Sequence, residues 1–185
     1  MAHISTFLQV SIDGFFAGPA GEIDWFKNTP DPEFEEFSLE RARGESTLLF
    51  GRTTYELMAS AWPSDQAHQD QPGMAEVMAG SPKIVFSKSL PSVQEGPRWR
   101  NVELRREIDA DALRREDGNY TTLGSGSIVQ QLTRLGLVDE YNLVVNPVIL
   151  GVGKSAFTAV PREQLELNDA RSFKNGVAWL TYARA

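Results

Sequence analysis

Residues 120–146 constrain this chain more than any other stretch. Residues 120–123 read as a strand, Gly124-Ser125-Gly126 as a turn, and Ser127 as the cap of a helix carrying Ile128, Leu132 and Leu135 on one face. Gly136 stands where a helix C-terminus takes a left-handed residue, and residues 142–146 read as the next strand. Strand, glycine turn, helix and strand in this order demand a sheet with helices packed on it.

The rest of the chain carries the same alternation. Ile4, Thr6, Leu8, Val10 and Ile12 alternate with Ser5, Phe7, Gln9 and Ser11, the two-residue period of a strand with a buried face. Asp13-Gly14 ends it, and a loop with Gly18-Pro19-Ala20-Gly21 follows. Asp31 reads as the N-cap of a helix with Pro32 at its first position and Phe34, Phe37 and Arg41 on one face. Residues 47–51 are a short apolar strand, after which Thr53 opens a helix, with Glu56 completing a capping box. The polar stretch 62–73 reads as a loop before a short helix at 74–79. Strands are expected at 83–87, 99–104, 164–167 and 177–182, and helical turns at 109–115. The pattern implies a mixed α/β sheet and, with no repeat or linker, one domain over residues 1–185.

Composition removes several chemistries. Lys and Arg number 18 against 25 Asp and Glu, a formal charge of −7, which opposes the basic face that nucleic-acid binding needs. Ten Phe, four Trp and four Tyr supply a core and exclude disorder. There is no cysteine, so disulfides, thiolate metal sites and cysteine nucleophiles are absent. His3 and His68 have no context of a zinc site or a serine triad, and no metal site is expected. The N-terminus lacks a basic segment and meets Asp13 too early for a signal peptide. The apolar stretch 143–152 is broken by Asn146, Pro147 and Gly151, short of the ~20 residues a membrane span needs. The expected location is the cytoplasm.

Two strand–turn–helix junctions carry candidate chemistry. A helix N-terminus offers unpaired N–H groups and the positive end of the dipole. Gly51-Arg52-Thr53-Thr54 adds a fixed charge and two hydroxyls; Gly124-Ser125-Gly126-Ser127 adds two glycines and two hydroxyls. Either alone is explained by a tight turn, but together they could hold a pyrophosphate from two sides. A Rossmann fingerprint is absent, because position 129 is Val and position 146 is Asn, and there is no P-loop.

Here the residues resemble a family. Ser11-x-Asp13-Gly14, Leu49-Phe50-Gly51-Arg52-Thr53-Thr54-Tyr55-Glu56, the strand ending in Ser87, and Leu135-Gly136-Leu137-Val138-Asp139-Glu140 resemble motifs of dihydrofolate-reductase-like proteins. The set is more similar to the C-terminal reductase domain of the bifunctional riboflavin-biosynthesis deaminase/reductase and its stand-alone relatives. Pro147-Val148-Ile149-Leu150-Gly151-x-Gly153, with Phe157, resembles the segment that follows in them.

The resemblance implies a mixed, mostly parallel central sheet flanked by helices in three layers. It implies NADPH across the carboxyl ends of the central strands. Gly51, Arg52 and Thr53 would meet phosphate on the adenosine side, and Ser87 and Lys88 the 2′-phosphate. Gly124, Ser125, Gly126 and Ser127 would surround the pyrophosphate, and Ala17, in a mobile lid at 16–21, would approach the nicotinamide. Asp31 and Asp13 are the candidate catalytic acids. Asp31 falls only near the place where dihydrofolate reductases carry an acid after a tryptophan, here Trp25, and its N-cap role explains it as well. An Asp-Gly turn likewise explains Asp13. The activity implied is hydride transfer from NADPH to a small heterocycle or sugar-amine, of the 5-amino-6-(5-phosphoribosylamino)uracil type. The alternative is a non-catalytic NADP- or pterin-binding module. Relatives pair through their sheets, so a homodimer is expected, with the apolar stretch 177–182 at an edge needing cover.

Overall fold

Strand β1 (His3–Ser11) forms on the predicted alternation, with Ile4, Thr6, Leu8 and Val10 buried. It ends one residue early. The turn at Gly14, whose N–H donates to the Ser11 carbonyl, leaves Ile12 61% exposed rather than on the buried face. The computed structural model describes residues 1–26 and 30–185. Part of the segment between Trp25 and Asp31 therefore lies outside the described residues.

The remaining elements are α1 (Pro32–Ala42), β2 (Ser46–Gly51), α2 (Arg52–Ala61), α3 (Asp65–Asp70), α4 (Pro72–Gly80), β3 (Lys83–Phe86) and β4 (Val102–Arg105). They continue with α5 (Ala110–Arg115), β5 (Asn119–Leu123), α6 (Gly126–Arg134), β6 (Glu140–Asn146), β7 (Leu165–Ser172) and β8 (Ala178–Arg184). The strands form one sheet in the order β4-β3-β2-β5-β1-β6-β8-β7. All neighbours are parallel except β6–β8 and β8–β7.

Right-handed crossovers decide the layers. The chain steps one way along the sheet from β1 to β2 to β3, and the other way from β4 to β5 to β6, so the two sets of helices cover opposite faces. On one face Leu113 of α5 and Ile128 and Leu132 of α6 pack on Ile4, Leu49, Ile84 and Tyr120. On the other, Tyr55 of α2 and Met78 of α4 pack on Phe50 and Val85. Beside them Phe34 and Phe37 of α1 meet Phe173 and Trp179, with ring centroids 5.0–6.5 Å apart. Each such pair adds about 0.5–1.5 kcal/mol beyond area burial. Among the described residues no helix is long and apolar enough to cross a membrane.

Four local expectations are corrected. The stretch 62–73 contains α3, whose first turn is capped by the Ser64 hydroxyl accepting from the Ala67 N–H at 3.1 Å. A short helix with no buried residue leaves no periodic apolar signal. Helix α2 starts at Arg52, so Glu56 pairs with Arg52 at 2.9 Å instead of closing a capping box. Leu135 is the C-cap of α6 and is 48% exposed. Finally, β8 lies inside the sheet; the edge strand is β7, exposed along its whole length.

Asp139 ties the layers at the amino end of β1. Its Oδ2 accepts from the Ile4 N–H and from Arg114 Nη1, each at 2.8 Å, while its own N–H donates to the Ile4 carbonyl. Burial pushes the carboxyl up, but the Arg114 side chain and the Ile4 amide outweigh this and hold it below the usual range. Asp139→Ala should lower stability in urea by about 2 kcal/mol. Because the folded pKa is depressed, the contribution is complete above the unfolded value of about 4 and is lost as pH falls through the folded one. An unchanged midpoint at neutral pH would overturn this assignment.

Candidate functional site

Strands β2 and β5 are parallel neighbours. At their carboxyl ends the chain departs into α2 on one face and α6 on the other, the switch-point geometry at which open α/β sheets form a ligand crevice. The two turns touch. Ser125 Oγ accepts from the buried Gly51 N–H at 2.9 Å. A Cβ on Gly51 would stand 3.2 Å from Ile128 Cγ1 and 3.6 Å from Ser127 Oγ, so glycine is what lets β2 run so close to α6.

The helix ends differ in a telling way. Helices α1, α3 and α5 are capped by the side chains of Asp31, Ser64 and Asp109, whereas α2, α4 and α6 have no side-chain cap, and of these α2 and α6 start at the crevice. Ser125, the N-cap residue of α6, is left-handed (φ 54°, ψ 60°), and its hydroxyl serves the neighbouring turn. Ser127 is not the cap expected from sequence; it lies exposed in the first turn of α6. Two helix N-termini without side-chain caps thus border one crevice, which suits an anion with charge at two points.

The other phosphate candidates line the same rim. Thr53 is exposed in the first turn of α2. Arg52 lies between Glu56 Oε1 (2.9 Å) and Ser89 Oγ (3.2 Å), which aims it across the end of β3; for so exposed a group this matters more for direction than for stability. Ser87 is buried at the end of β3, its Oγ accepting from the Leu90 N–H at 3.0 Å. Lys88 is exposed and, among the described residues, forms no ion pair.

The loop after β1 covers the α6 side. The Phe16 N–H donates to the Lys154 carbonyl (2.9 Å) and the Lys154 N–H to the Ala17 carbonyl (2.8 Å), so buried Ala17 is zipped to the segment before Phe157. The Phe16 ring lies against Gly126, where a Cβ would collide with it. A cavity of about 330 Å³ opens here between Phe16, Gly126, Ser127, Gln130, Lys154 and Thr158. Another, of about 370 Å³, lies at the opposite ends of the strands around Lys83, Glu95, Arg105 and Glu116, remote from both turns.

The two candidate acids hold backbone. Asp13 accepts from the Leu150 N–H (3.1 Å) and the Gly151 N–H (2.7 Å); the Ser11 hydroxyl, then these amides, keep its carboxyl below the usual range. Asp31 caps α1 through Glu33 (3.0 Å) and Phe34 (3.3 Å), and its second oxygen accepts from the Asn175 N–H at 3.1 Å in the β7–β8 turn. Burial pushes the Asp31 carboxyl up, but the amides of Asn175, Phe34, Glu33 and Lys174 prevail and hold it low. Carboxyls held low are ionised at neutral pH and have no proton to donate. The structure thus gathers Gly51, Arg52, Thr53, Ser87, Lys88 and Gly124 to Ser127 at one rim, with Asp13 and Ala17 in the loop beside it, and sets Asp31 apart under the last hairpin.

Sequence reasoning did not find the Ser125–Gly51 bond or the contact of Phe16 with Gly126. The paired serines around Gly126 were the visible signal for the first; nothing local marks the second.

Comparison with known proteins gives a family and a fold. A family model described as the RibD C-terminal domain matches residues 2–179. An uncharacterized protein of Bacillus subtilis, YyaP, is 30% identical over 177 residues, 95% of this chain and 91% of its own. Among solved structures, a Shewanella sp. PV-4 protein named as a candidate riboflavin biosynthesis protein superposes with a TM-score of 0.72 at 22% identity, covering 100% of this chain and 99% of its own. Dihydrofolate reductase from Enterococcus faecalis complexed with NADP(H) and RAB-propyl gives 0.62 at 16% identity, covering 98% and 96%.

Asp31→Asn would turn an amide N–H₂ toward one of the backbone N–H groups that the carboxylate now satisfies. Its thermal midpoint should fall, and the Asn175 or Phe34 amide should exchange faster with deuterium. Unchanged values for both would overturn the clasp.

Proposed function

The chain belongs to the RibD C-terminal domain family, and from that membership together with the crevice geometry we propose that it is an NADPH-dependent reductase acting on a small molecule. The observation that carries this is the pair of helix N-termini without side-chain caps, joined through Ser125 and Gly51. Gly124, Ser125, Gly126 and Ser127 with Gly51 and Thr53 would hold the pyrophosphate; Arg52, Ser87 and Lys88 would meet the 2′-phosphate; Ala17 would border the nicotinamide. The residues fit the group: the N-termini of α2 and α6 border one crevice without side-chain caps, and Arg52 and Lys88 stand at one end of its rim. The cofactor would supply the hydride, and the chain would orient it and exclude water.

For the substrate we favour an oxidised heterocycle or sugar-amine of the 5-amino-6-(5-phosphoribosylamino)uracil type, which family membership and the naming of the Shewanella structural relative support. Asp13 enters as an anchor of the loop beside the rim, and Asp31 as an anchor of the last hairpin, away from it. Their occupied oxygens favour one second reading, a non-catalytic NADP- or pterin-binding module. We further propose one domain working in the cytoplasm as a homodimer. The exposed edge strand β7 supports the pairing: antiparallel to a second copy about its middle, Glu166 falls opposite Arg171 and Leu167 opposite Ala170.

Calorimetry should show tighter binding of NADPH than NADH, and Arg52→Ala should weaken NADPH about tenfold or more while changing NADH little. Equal affinities would overturn the 2′-phosphate assignment, and tight NADPH binding with no oxidation by any candidate substrate would favour the module. Light scattering at micromolar concentration should give twice the chain mass; a monomer would overturn the pairing.

A further inference from the structure

Arg106 follows directly on β4 at the same rim as the two turns. Its guanidinium has no carboxylate partner among the described residues. Instead Nη1 donates to the carbonyls of Ser87 (3.2 Å) and Leu90, and Nη2 to the carbonyl of Pro91 (3.5 Å). The segment 87–91 is therefore tied twice across its base. Inside, the Ser87 hydroxyl accepts from the Leu90 N–H; outside, the planar fork of Arg106 spans both ends. From the other side Arg52 reaches Ser89 Oγ. Lys88, at the crown of this bow, keeps its ammonium free of any ion pair among the described residues.

Two guanidiniums and an ammonium thus converge on a few residues in a chain of charge −7, with Glu56, on Arg52, the carboxylate that pairs with them. Such a concentration of like charge is relieved by a dianion. We infer that Arg106 is a positioning residue for the 2′-phosphate of a nicotinamide dinucleotide, an inference that rests on the cofactor assignment above. It acts by fixing the 87–91 bow so that Ser87 and Lys88 face the phosphate together. A lysine at 106 could reach one carbonyl at a time, whereas the guanidinium fork holds both ends of the bow.

The test is calorimetry of NADP⁺, NAD⁺ and 2′,5′-ADP with the unmutated protein, R106A and R106K. R106A should weaken NADP⁺ and 2′,5′-ADP about tenfold or more and leave NAD⁺ within about twofold. R106K should recover only part of the loss. An unchanged ratio of NADP⁺ to NAD⁺ affinity in R106A overturns the role, as does an equal loss for NAD⁺, which would mark general damage. Full recovery in R106K would show that charge alone acts and would also overturn it. Unmutated protein that binds none of the three ligands removes the cofactor assignment and this inference together. Unmutated protein that prefers NADP⁺, with R106A unaltered, removes the inference alone.

Discussion

The parallel pairing of β2 with β5 governs this molecule. Leu48 and Leu49 lie in register with Thr121 and Thr122, and the chain then leaves the two strands in opposite directions. Right-handed connection forces those departures to opposite faces, which creates the three layers and the cleft between them. A swap in the order of these two strands would place both helix starts elsewhere, and the rim would lose its chemistry with no change in composition.

Local stability is given up where that cleft opens. A missing side-chain cap costs about 1 kcal/mol per helix end, and a non-glycine residue in a sparsely populated backbone region about 1–3 kcal/mol. Both features meet at Ser125, while α1, α3 and α5 keep their caps. Helix α4 also lacks a side-chain cap, and Asn101 and Ala159 are also left-handed; what is particular to Ser125 is that both features meet in one residue whose hydroxyl serves another strand. The neighbouring glycines follow the same logic, since Gly126 admits the Phe16 ring and Gly153 admits the backbone at Ala17.

What could be read from the chain was what is local. The alternation of Ile4, Thr6, Leu8 and Val10, the Asp31-Pro32 helix start and the left-handed Gly136 need only neighbours in sequence to be recognised, and all three are found. The layered fold and the rim of phosphate candidates came through ordered motifs. Helix α3 stayed hidden because it buries nothing. The place of β8 stayed hidden because an apolar strand reads alike at an edge or one position inside it. The capping of α6 went astray because two serines flank Gly126, and the one that matters, Ser125, turns its hydroxyl toward a strand 74 positions away. Asp31 showed its cap but not the clasp on Asn175, whose partner lies 144 positions on.

The Ser125–Gly51 bond joins turns that lead into separate layers. A ligand held across it is therefore gripped by the two halves of the molecule at once, and unfolding either half releases it. Its binding free energy becomes a term in the stability of the whole chain: at a hundredfold excess over the dissociation constant, about 2.7 kcal/mol. Occupancy of the crevice and survival of the fold are, on this account, one equilibrium observed from two ends.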